Sequence, residues 1–285
     1  MVIDIHVHPF CKEAHYGDKK RIADVMSGYD PITLKRKNRM VNAIMEQYTL
    51  DDYIAIMDKF NIDKAVIVSL NVTSAYGFLM VSNEDIVDFV KRFPNRFIGF
   101  ACIDVPATDA MDQLEYAITS LNLKGVKILP PAQKFDISDK KFDPLWRKMI
   151  DLDIPLWTHG GHQVSFYGSI AKYGHPLLID EVALRHRNLT IIIGHMGVPW
   201  MWDAWSVVMR HKNVYIDISA YPNLYNWFPW DAFISEDLSH KILFASDYPL
   251  KHYSEIFNAF NKVQINDSLK RAILEKNAVK LLKIK

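Results

Sequence analysis

Short apolar runs rich in valine and isoleucine recur along the whole chain. Runs of this kind are typical of parallel strands that are buried on both faces. Eight of them are found: VIDIHVH (2–8), KAVIVSLNV (64–72), RFIGFACIDV (96–105), KGVKILP (124–130), IPLWTHGG (154–161), LTIIIGHMG (189–197), NVYIDIS (213–219) and KILFASDYP (241–249).

Segments with apolar residues three and four positions apart follow these runs, and this spacing predicts amphipathic helices. They cover 49–62, 82–93, 109–121, 143–152, 177–186, 202–211, 230–238 and 267–284. Eight strands that alternate with eight helices predict an α/β fold, a (β/α)8 TIM barrel of the metal-dependent hydrolase type. A doubly wound sheet is disfavoured, because no glycine-rich phosphate loop follows any predicted strand.

The barrel is expected to occupy 1–285 as a single domain, with a long loop insertion at about 9–48 after the first strand. A loop of this length in a compact domain is often functional, for example as an active-site lid. We expect much of the substrate specificity to lie there.

Composition and charge narrow the classes of function. The 285 residues are 49% hydrophobic, and 34 basic residues nearly balance 33 acidic ones, so a nucleic-acid partner is not expected. No window approaches the roughly 20 apolar residues of a membrane span, and no signal peptide is evident. The two cysteines, Cys11 and Cys102, make no disulfide framework, which predicts a cytoplasmic protein. The partner that we expect is a small-molecule substrate.

The carboxyl ends of the predicted strands carry an unusual set of polar residues. Four of the 11 histidines and one aspartate fall there: His6, His8, His159, His195 and Asp247. A lone histidine at a strand end is usually a surface or core residue, and a lone aspartate is commonly a turn former. In a barrel, however, all strand ends converge on one mouth, where active sites are built. Imidazoles with a carboxylate suit a divalent transition metal, zinc above all, so together these residues predict a metal site.

Strand alternation predicts which side chains face inward. His6 and His8 lie two apart and therefore share a face. On the sixth strand, Ile191, Ile193 and His195 share a face, which is expected to turn His195 toward the mouth. On the fourth strand, the side chain of Lys127 is also expected to face the mouth of the barrel.

Six motifs spread along the chain carry a family resemblance. They are DIHVHP (4–9), GVKILP (125–130), THGG (158–161), IGHMG (193–197), ASDYP (245–249) and EKNAVKLL (275–282). The chain resembles the amidohydrolase superfamily, in the amidohydrolase-related branch (amidohydrolase 2) that includes aminocarboxymuconate-semialdehyde decarboxylase. The H-x-H pair is a weak signal alone, whereas the ordered set over four strands is highly specific.

The resemblance implies roles for these residues. His6, His8, His159 and Asp247 would hold one divalent metal ion, most simply Zn²⁺, while His195 and Asp247 would be catalytic. Some superfamily members instead bridge two metals with a carboxylated lysine on the fourth strand. A binuclear site with a carboxylated Lys127 is therefore the alternative, although one metal is usual in this branch.

The resemblance also implies the chemistry. We expect a metal-dependent hydrolase acting on a small organic substrate, carboxylate-bearing or cyclic, through metal-activated water. The alternative is a non-oxidative decarboxylase, a carboxy-lyase that uses the same site. A barrel that binds a ligand without catalysis is a further alternative.

Four residues are predicted to contact the substrate. Lys127 would pair with a substrate carboxylate, His162 lies on the loop after the fifth strand, and Phe10 and Tyr221 would wall the pocket. Arginines of the long loop (Arg21, Arg36, Arg39) are further candidate cations. The aromatic run at 217–230 suits a pocket wall or a subunit interface equally well, and the resemblance implies a homo-oligomer, most simply a dimer.

Overall fold

The structure is a computed structural model that describes residues 1–27 and 48–284. Eight parallel strands form one sheet: β1 Ile3–Val7, β2 Lys64–Val68, β3 Phe97–Cys102, β4 Val126–Ile128, β5 Leu156–Thr158, β6 Ile191–Ile193, β7 Val214–Asp217 and β8 Ile242–Leu243. Each strand lies within one of the eight predicted apolar runs.

The sheet closes on itself. Neighbouring strands pair in chain order from β1 to β8. The backbone N–H of Ile5 donates to the carbonyl of Phe244 at 3.1 Å, and that of Asp247 donates to the carbonyl of His6 at 3.0 Å. These bonds join the segment around β8 to β1, and the TIM-barrel prediction is confirmed.

Helices separate the strands. The α-helices are Lys19–Ser27, Leu50–Lys59, Thr73–Tyr76, Asn83–Arg92, Ala110–Glu115, Pro130–Gln133, Asp143–Asp151, Pro176–Arg185, Met201–Arg210, Trp230–Ser235, Tyr253–Phe260, Asp267–Arg271 and Asn277–Leu281. Two π-helical segments, Tyr116–Ser120 and Ala272–Lys276, and short 3₁₀ turns complete the pattern. In the described part of the chain, no helix has the length and apolar content needed to cross a bilayer.

Two helices begin after a threonine or serine that an aspartate follows three positions later, the spacing of a capping box. The side chain of Thr49 accepts a hydrogen bond from the backbone N–H of Asp52, and the Asp52 carboxylate accepts one from the backbone N–H of Thr49. Ser82 and Asp85 form the same capping box at the helix Asn83–Arg92. Such caps pair backbone donors that the first turn of a helix leaves free.

Two apolar clusters lie on the two sides of the sheet. The inner cluster is built of strand residues with the C-terminal Ala278: Ile3, Ile5, Val66, Val68, Phe100, Trp157, Ile192, Leu243 and Ala245. The outer cluster joins the strands to the helices.

The predicted inward face of β6 is wrong. Ile192 packs in the inner cluster, whereas Ile191 and Ile193 pack in the outer one. His195 still reaches the mouth, because β6 ends at Ile193 and the chain turns at His195, whose φ is +58°. The turn, not the alternation, orients this side chain.

The insertion after β1 is only partly a loop. It contains the helix Lys19–Ser27, and Cys11 forms a backbone bridge with Tyr48. The rest of the predicted insertion, 28–47, lies outside the described residues, and Arg36 and Arg39 lie there. A small antiparallel ribbon, Leu70–Asn71 with Leu79–Met80, lies after β2.

Candidate metal centre and active site

The first strand delivers His6 and His8 to the mouth of the barrel. The register of β1 against β2 shifts between Asp4 and Val7, and an irregularity of this kind re-aims side chains. The two histidines are 0% and 3% exposed, and their ring centroids are 4.9 Å apart. Asp4 braces this segment, because its Oδ1 accepts hydrogen bonds from the backbone N–H groups of His6 (3.1 Å) and Ser246 (3.0 Å).

Lys127 on β4 is buried beside these two histidines. Its Nζ lies 2.7 Å from His6 Nε2, 3.1 Å from His8 Nε2 and 4.6 Å from the centroid of the Trp157 ring. Burial lowers the pKa of Lys127 to about 8, and the charge of Asp247 opposes that shift. Burial, and then the charge of Lys127, hold the pKa values of both histidines well below their ordinary value. Both rings are therefore neutral at neutral pH, which is the form that binds metals.

Asp247 follows β8 in a left-handed backbone conformation with a φ of +68°. Such a conformation costs a residue other than glycine on the order of 1–3 kcal/mol, and it tends to occur at functional sites. The Asp247 Oδ1 lies 3.4 Å from His8 Nε2 and 3.7 Å from His6 Nδ1. Burial raises the pKa of this carboxyl to about 7, although the charges of Lys127 and Lys251 oppose it.

His159 and His195 complete the cluster from the ends of β5 and β6. Their ring centroids are 4.5 Å apart, and the His195 ring lies 5.2 Å from that of His6. Burial lowers the pKa of His159 to about 3 and holds that of His195 well below its ordinary value. These two rings are also neutral at neutral pH.

Sequence reasoning missed the groups that hold His195. The Asp217 carboxylate accepts hydrogen bonds from the backbone N–H of His195 (2.9 Å) and from the indole N–H of Trp157 (2.6 Å). Ser219 Oγ lies 2.6 Å from Asp217 Oδ1 and 2.7 Å from His195 Nδ1. In the sequence these residues appear only as DIS at the end of a strand, a pattern too common to stand out.

The donor set fits a divalent metal ion. Within the described residues, His6 Nδ1, His8 Nδ1 and His159 Nε2 are buried and have no hydrogen-bond partner. Buried polar atoms nearly always have one, so three exceptions in one cluster require an explanation, and an ion provides it. One ligand atom each from His6, His195 and Asp247 lie within 4.8 Å of one another. Of the four predicted ligands this group contains His6 and Asp247, and its third member is His195, which the sequence placed beside the metal.

The predicted substrate contacts lie at different depths. Phe10 is buried and stacks on His8, with ring centroids 4.9 Å apart and planes 3° from parallel. Tyr221 lies 6.4 Å from His195, centroid to centroid, and burial raises its pKa to about 12. His162 is exposed, and its backbone N–H donates to the carbonyl of Val198 at 2.7 Å.

Arg21, the described one of the three candidate arginines, lies elsewhere. Its Nε donates to the carbonyl of Tyr76, and it lines a separate groove with Lys134 and Tyr167. Its role as a cation of the site therefore has no support in the contacts that the structure gives it.

Comparison with known sequences gives a consistent result. A sequence model of the Amidohydrolase family matches residues 3–284. Gamma-resorcylate decarboxylase from Rhizobium radiobacter is 23% identical over 288 residues, a match that covers 82% of this chain and 87% of that protein.

Solved structures with the same fold extend over the whole chain. An uncharacterized TIM-barrel protein from Bordetella bronchiseptica matches with a TM-score of 0.79 and 24% identity, covering 99% of this chain and 98% of that one. A dihydroxybenzoic acid decarboxylase from Polaromonas sp. JS666, with bound manganese and the inhibitor 2-nitroresorcinol, matches with a TM-score of 0.71 and 18% identity, covering 100% and 98%.

Proposed function

Because the chain belongs to the amidohydrolase family and is an enzyme of that superfamily, we propose that it is a metal-dependent decarboxylase acting on a small aromatic carboxylic acid. The observation that carries this proposal is the likeness to gamma-resorcylate decarboxylase over 82% of the chain. Hydrolysis, the first interpretation of the sequence, uses the same donor set. The name of this relative favours the alternative that the sequence left open.

We infer that one divalent ion is held by His6, His8, His159 and Asp247. Bound there, the ion would supply a Lewis acid that polarises substrate oxygen atoms. The histidine-rich set suits zinc, whereas the decarboxylase neighbour from Polaromonas holds manganese. Measuring the metal content and reactivating stripped protein with each ion distinguish the two, and two equivalents per chain would favour the binuclear alternative with Lys127.

The chain's own residues would bind and orient the acid. Lys127 supplies a buried cation beside the histidines, where it can pair with a carboxylate. Phe10 lies flat against His8 and offers an aromatic face to a planar substrate. Tyr221 and the exposed His162 would contact the substrate nearer to solvent.

The reaction needs one proton. When the bond between the ring and its carboxylate breaks, the electron pair stays on the ring carbon, CO₂ leaves, and the carbon takes a proton. His195 and Asp247 are the groups in the proposed site that can hold and transfer that proton. Their burial excludes water, which strengthens electrostatic effects on the substrate.

The test is CO₂ release from gamma-resorcylate by protein loaded with manganese or zinc. We expect release that a chelator abolishes, and none from benzoate, which lacks the ring hydroxyls of gamma-resorcylate. A metal-replete protein that releases no CO₂ from a panel of hydroxylated aromatic acids, yet opens lactones or esters, would establish hydrolysis instead. Cytoplasmic location and homo-dimer assembly remain parts of the proposal, and light scattering tests the latter.

A further inference from the structure

We propose that Ser219 and Asp217 are positioning residues that fix the tautomer of His195. They hold the ring hydrogen on Nδ1 and leave the lone pair of Nε2 directed at the metal and substrate site. The catalytic part of this inference rests on the proposed function. The tautomer itself follows from hydrogen-bond chemistry and can be measured without any substrate.

The Asp217 carboxylate is surrounded by donors. Its Oδ1 accepts from the backbone N–H groups of His195 and Ser219, each at 2.9 Å, and its Oδ2 accepts from the indole N–H of Trp157 at 2.6 Å. Amide and indole nitrogens can only donate, and an ionised carboxylate has about four acceptor sites. Ser219 Oγ, 2.6 Å from Oδ1, is the fourth contact.

This arrangement settles the direction of the serine hydroxyl. Burial raises the pKa of Asp217, but the three N–H donors that contact its carboxylate oppose that shift and favour the ionised form. At 2.6 Å two oxygen atoms must share a hydrogen, and an ionised carboxylate has none to give, so Ser219 donates to Asp217. A serine hydroxyl carries a single hydrogen and can therefore only accept from His195. The contact of 2.7 Å between Ser219 Oγ and His195 Nδ1 is then an Nδ1–H donor bond.

A neutral imidazole carries one ring hydrogen, so Nε2 of His195 is left as an acceptor. This is the form that can bind an ion or take a proton, and the groups that hold a ligand histidine are commonly the ones that select it. All of the residues involved are buried, and Asp217 and Ser219 are 0% exposed, so water does not compete for these bonds.

Asp217 also links His195 to Trp157, whose ring lies beside the histidines of the site. The Trp157 ring, which Asp217 holds through its indole N–H, lies 4.3 Å from the His6 ring and 5.3 Å from the His195 ring, centroid to centroid. One carboxylate thus orients both the histidine and the aromatic surface beneath it.

The direct test is long-range ¹H–¹⁵N correlation of the histidine rings in metal-free wild-type protein. The His195 signal is assigned by its loss in His195→Gln. We expect a protonated Nδ1 and an unprotonated Nε2, distinguished by their couplings to the two ring carbon-bound hydrogens. A protonated Nε2 would overturn the proposal, whatever reaction the enzyme performs.

Variants test the role of the hydroxyl. Ser219→Ala removes the acceptor, so we expect the tautomer ratio to move toward Nε2–H and kcat to fall by about 10- to 100-fold, with KM changed less. Ser219→Thr keeps the hydroxyl and should restore the Nδ1–H form and most of kcat.

Ser138→Ala is the matched control. Ser138 Oγ bonds Asp136 Oδ1 at 2.7 Å in the same Asp-x-Ser arrangement, away from the histidines. It should leave both the His195 signals and kcat unchanged. An unchanged tautomer in a folded Ser219→Ala protein would refute the positioning role. Absence of decarboxylation with the expected tautomer would refute only the proposed function.

Discussion

Buried histidines occur in two regions of this molecule, and their partners differ. In the outer helix layer, His186 Nε2 lies 2.9 Å from Asp143 Oδ1, and His211 Nε2 lies 2.7 Å from Asp180 Oδ1. An arginine completes each group: Arg185 contacts Asp143 at 3.1 Å, and Arg210 contacts Asp180 at 3.0 Å. At the mouth of the barrel, each of His6, His8 and His159 keeps a ring nitrogen without a hydrogen-bond partner among the described residues.

This difference distinguishes buried histidines that stabilise the fold from buried histidines that serve the function. A buried polar group that is fully paired stabilises its surroundings, whereas one left unpaired lowers stability. A cluster of unpaired buried groups is retained when it has a function that outweighs its cost in stability, and active sites are where this usually occurs. We therefore expect substitutions in the two regions to have opposite signatures. Changes at the mouth should abolish activity and leave stability intact, and changes in the outer layer should do the reverse.

The largest effect is expected for His159→Ala. It removes a predicted ligand, so metal affinity should fall by more than about 100-fold and CO₂ release should disappear with it. The free energy of unfolding of the metal-free protein should fall less than for His186→Ala, because His159 Nε2 has no hydrogen bond to lose. Metal content, turnover and urea denaturation measure the three quantities.

His186→Ala is the control for that variant, since it removes an equally buried histidine from the outer layer. It should bind metal normally and unfold more easily. If His159→Ala retained a full equivalent of tightly bound metal, the predicted ligand set would be wrong.

The next effect is expected for His195→Ala. As a catalytic group beside the ion, His195 should contribute about 10²- to 10⁴-fold to turnover, the usual range for a positioned acid or base. The metal should stay bound, because His6, His8, His159 and Asp247 remain. Loss of half of a two-metal content would instead favour the binuclear alternative, and loss of a single ion would make His195 a ligand.

Sequence patterns predict much of this fold. Valine and isoleucine runs locate all eight strands, because both faces of a barrel strand are buried. Thr49 and Ser82 mark helix starts, because their side chains pair backbone donors nearby. The helix Tyr253–Phe260 escaped prediction since its cap is His252, whose ring accepts from the backbone N–H of Ser254, and histidine is not a typical capping residue.

Side-chain orientation and hydrogen bonding in the site are harder to predict from the sequence than the strands are. Residue types at strand ends pointed to His6, His195 and Asp247, whose ligand atoms lie within 4.8 Å of one another, but their roles remain predictions. The orientation of His195 depends on a left-handed turn, and the strand pattern gave the wrong face. The bonds of Asp217 to His195 and Trp157 join three strand ends, so no local pattern could reveal them.

A moderate effect is expected for Asp143→Asn in the outer layer. The substitution replaces a carboxylate that pairs with both His186 and Arg185, so about 1–3 kcal/mol of unfolding free energy should be lost. Metal content and turnover should be unchanged. A drop in turnover of the folded variant would show that the two regions are coupled.

The smallest effects on stability, and the sharpest contrast, are expected for two buried lysines. Lys241 Nζ donates to the carbonyls of Val208 (2.9 Å) and His211 (2.6 Å) at the end of the helix Met201–Arg210, where a cation is favoured. Lys241→Met removes both bonds, although the His211 carbonyl still accepts from the backbone N–H of Val214 at 3.3 Å, and it should cost about 1 kcal/mol or more.

Lys127→Met removes a cation whose direct contacts are neutral imidazoles and an indole ring, with the charge of Asp247 as its main electrostatic support. Desolvating an ammonium group costs several kcal/mol, and these contacts offset it less well than carbonyls do. Urea denaturation of metal-free protein should therefore show Lys127→Met unchanged or more stable, by up to about 1 kcal/mol, while its turnover is lost. If both lysine variants were destabilised equally and both kept turnover, Lys127 would be a structural lysine like Lys241, and the mouth would have no buried cation reserved for a carboxylate.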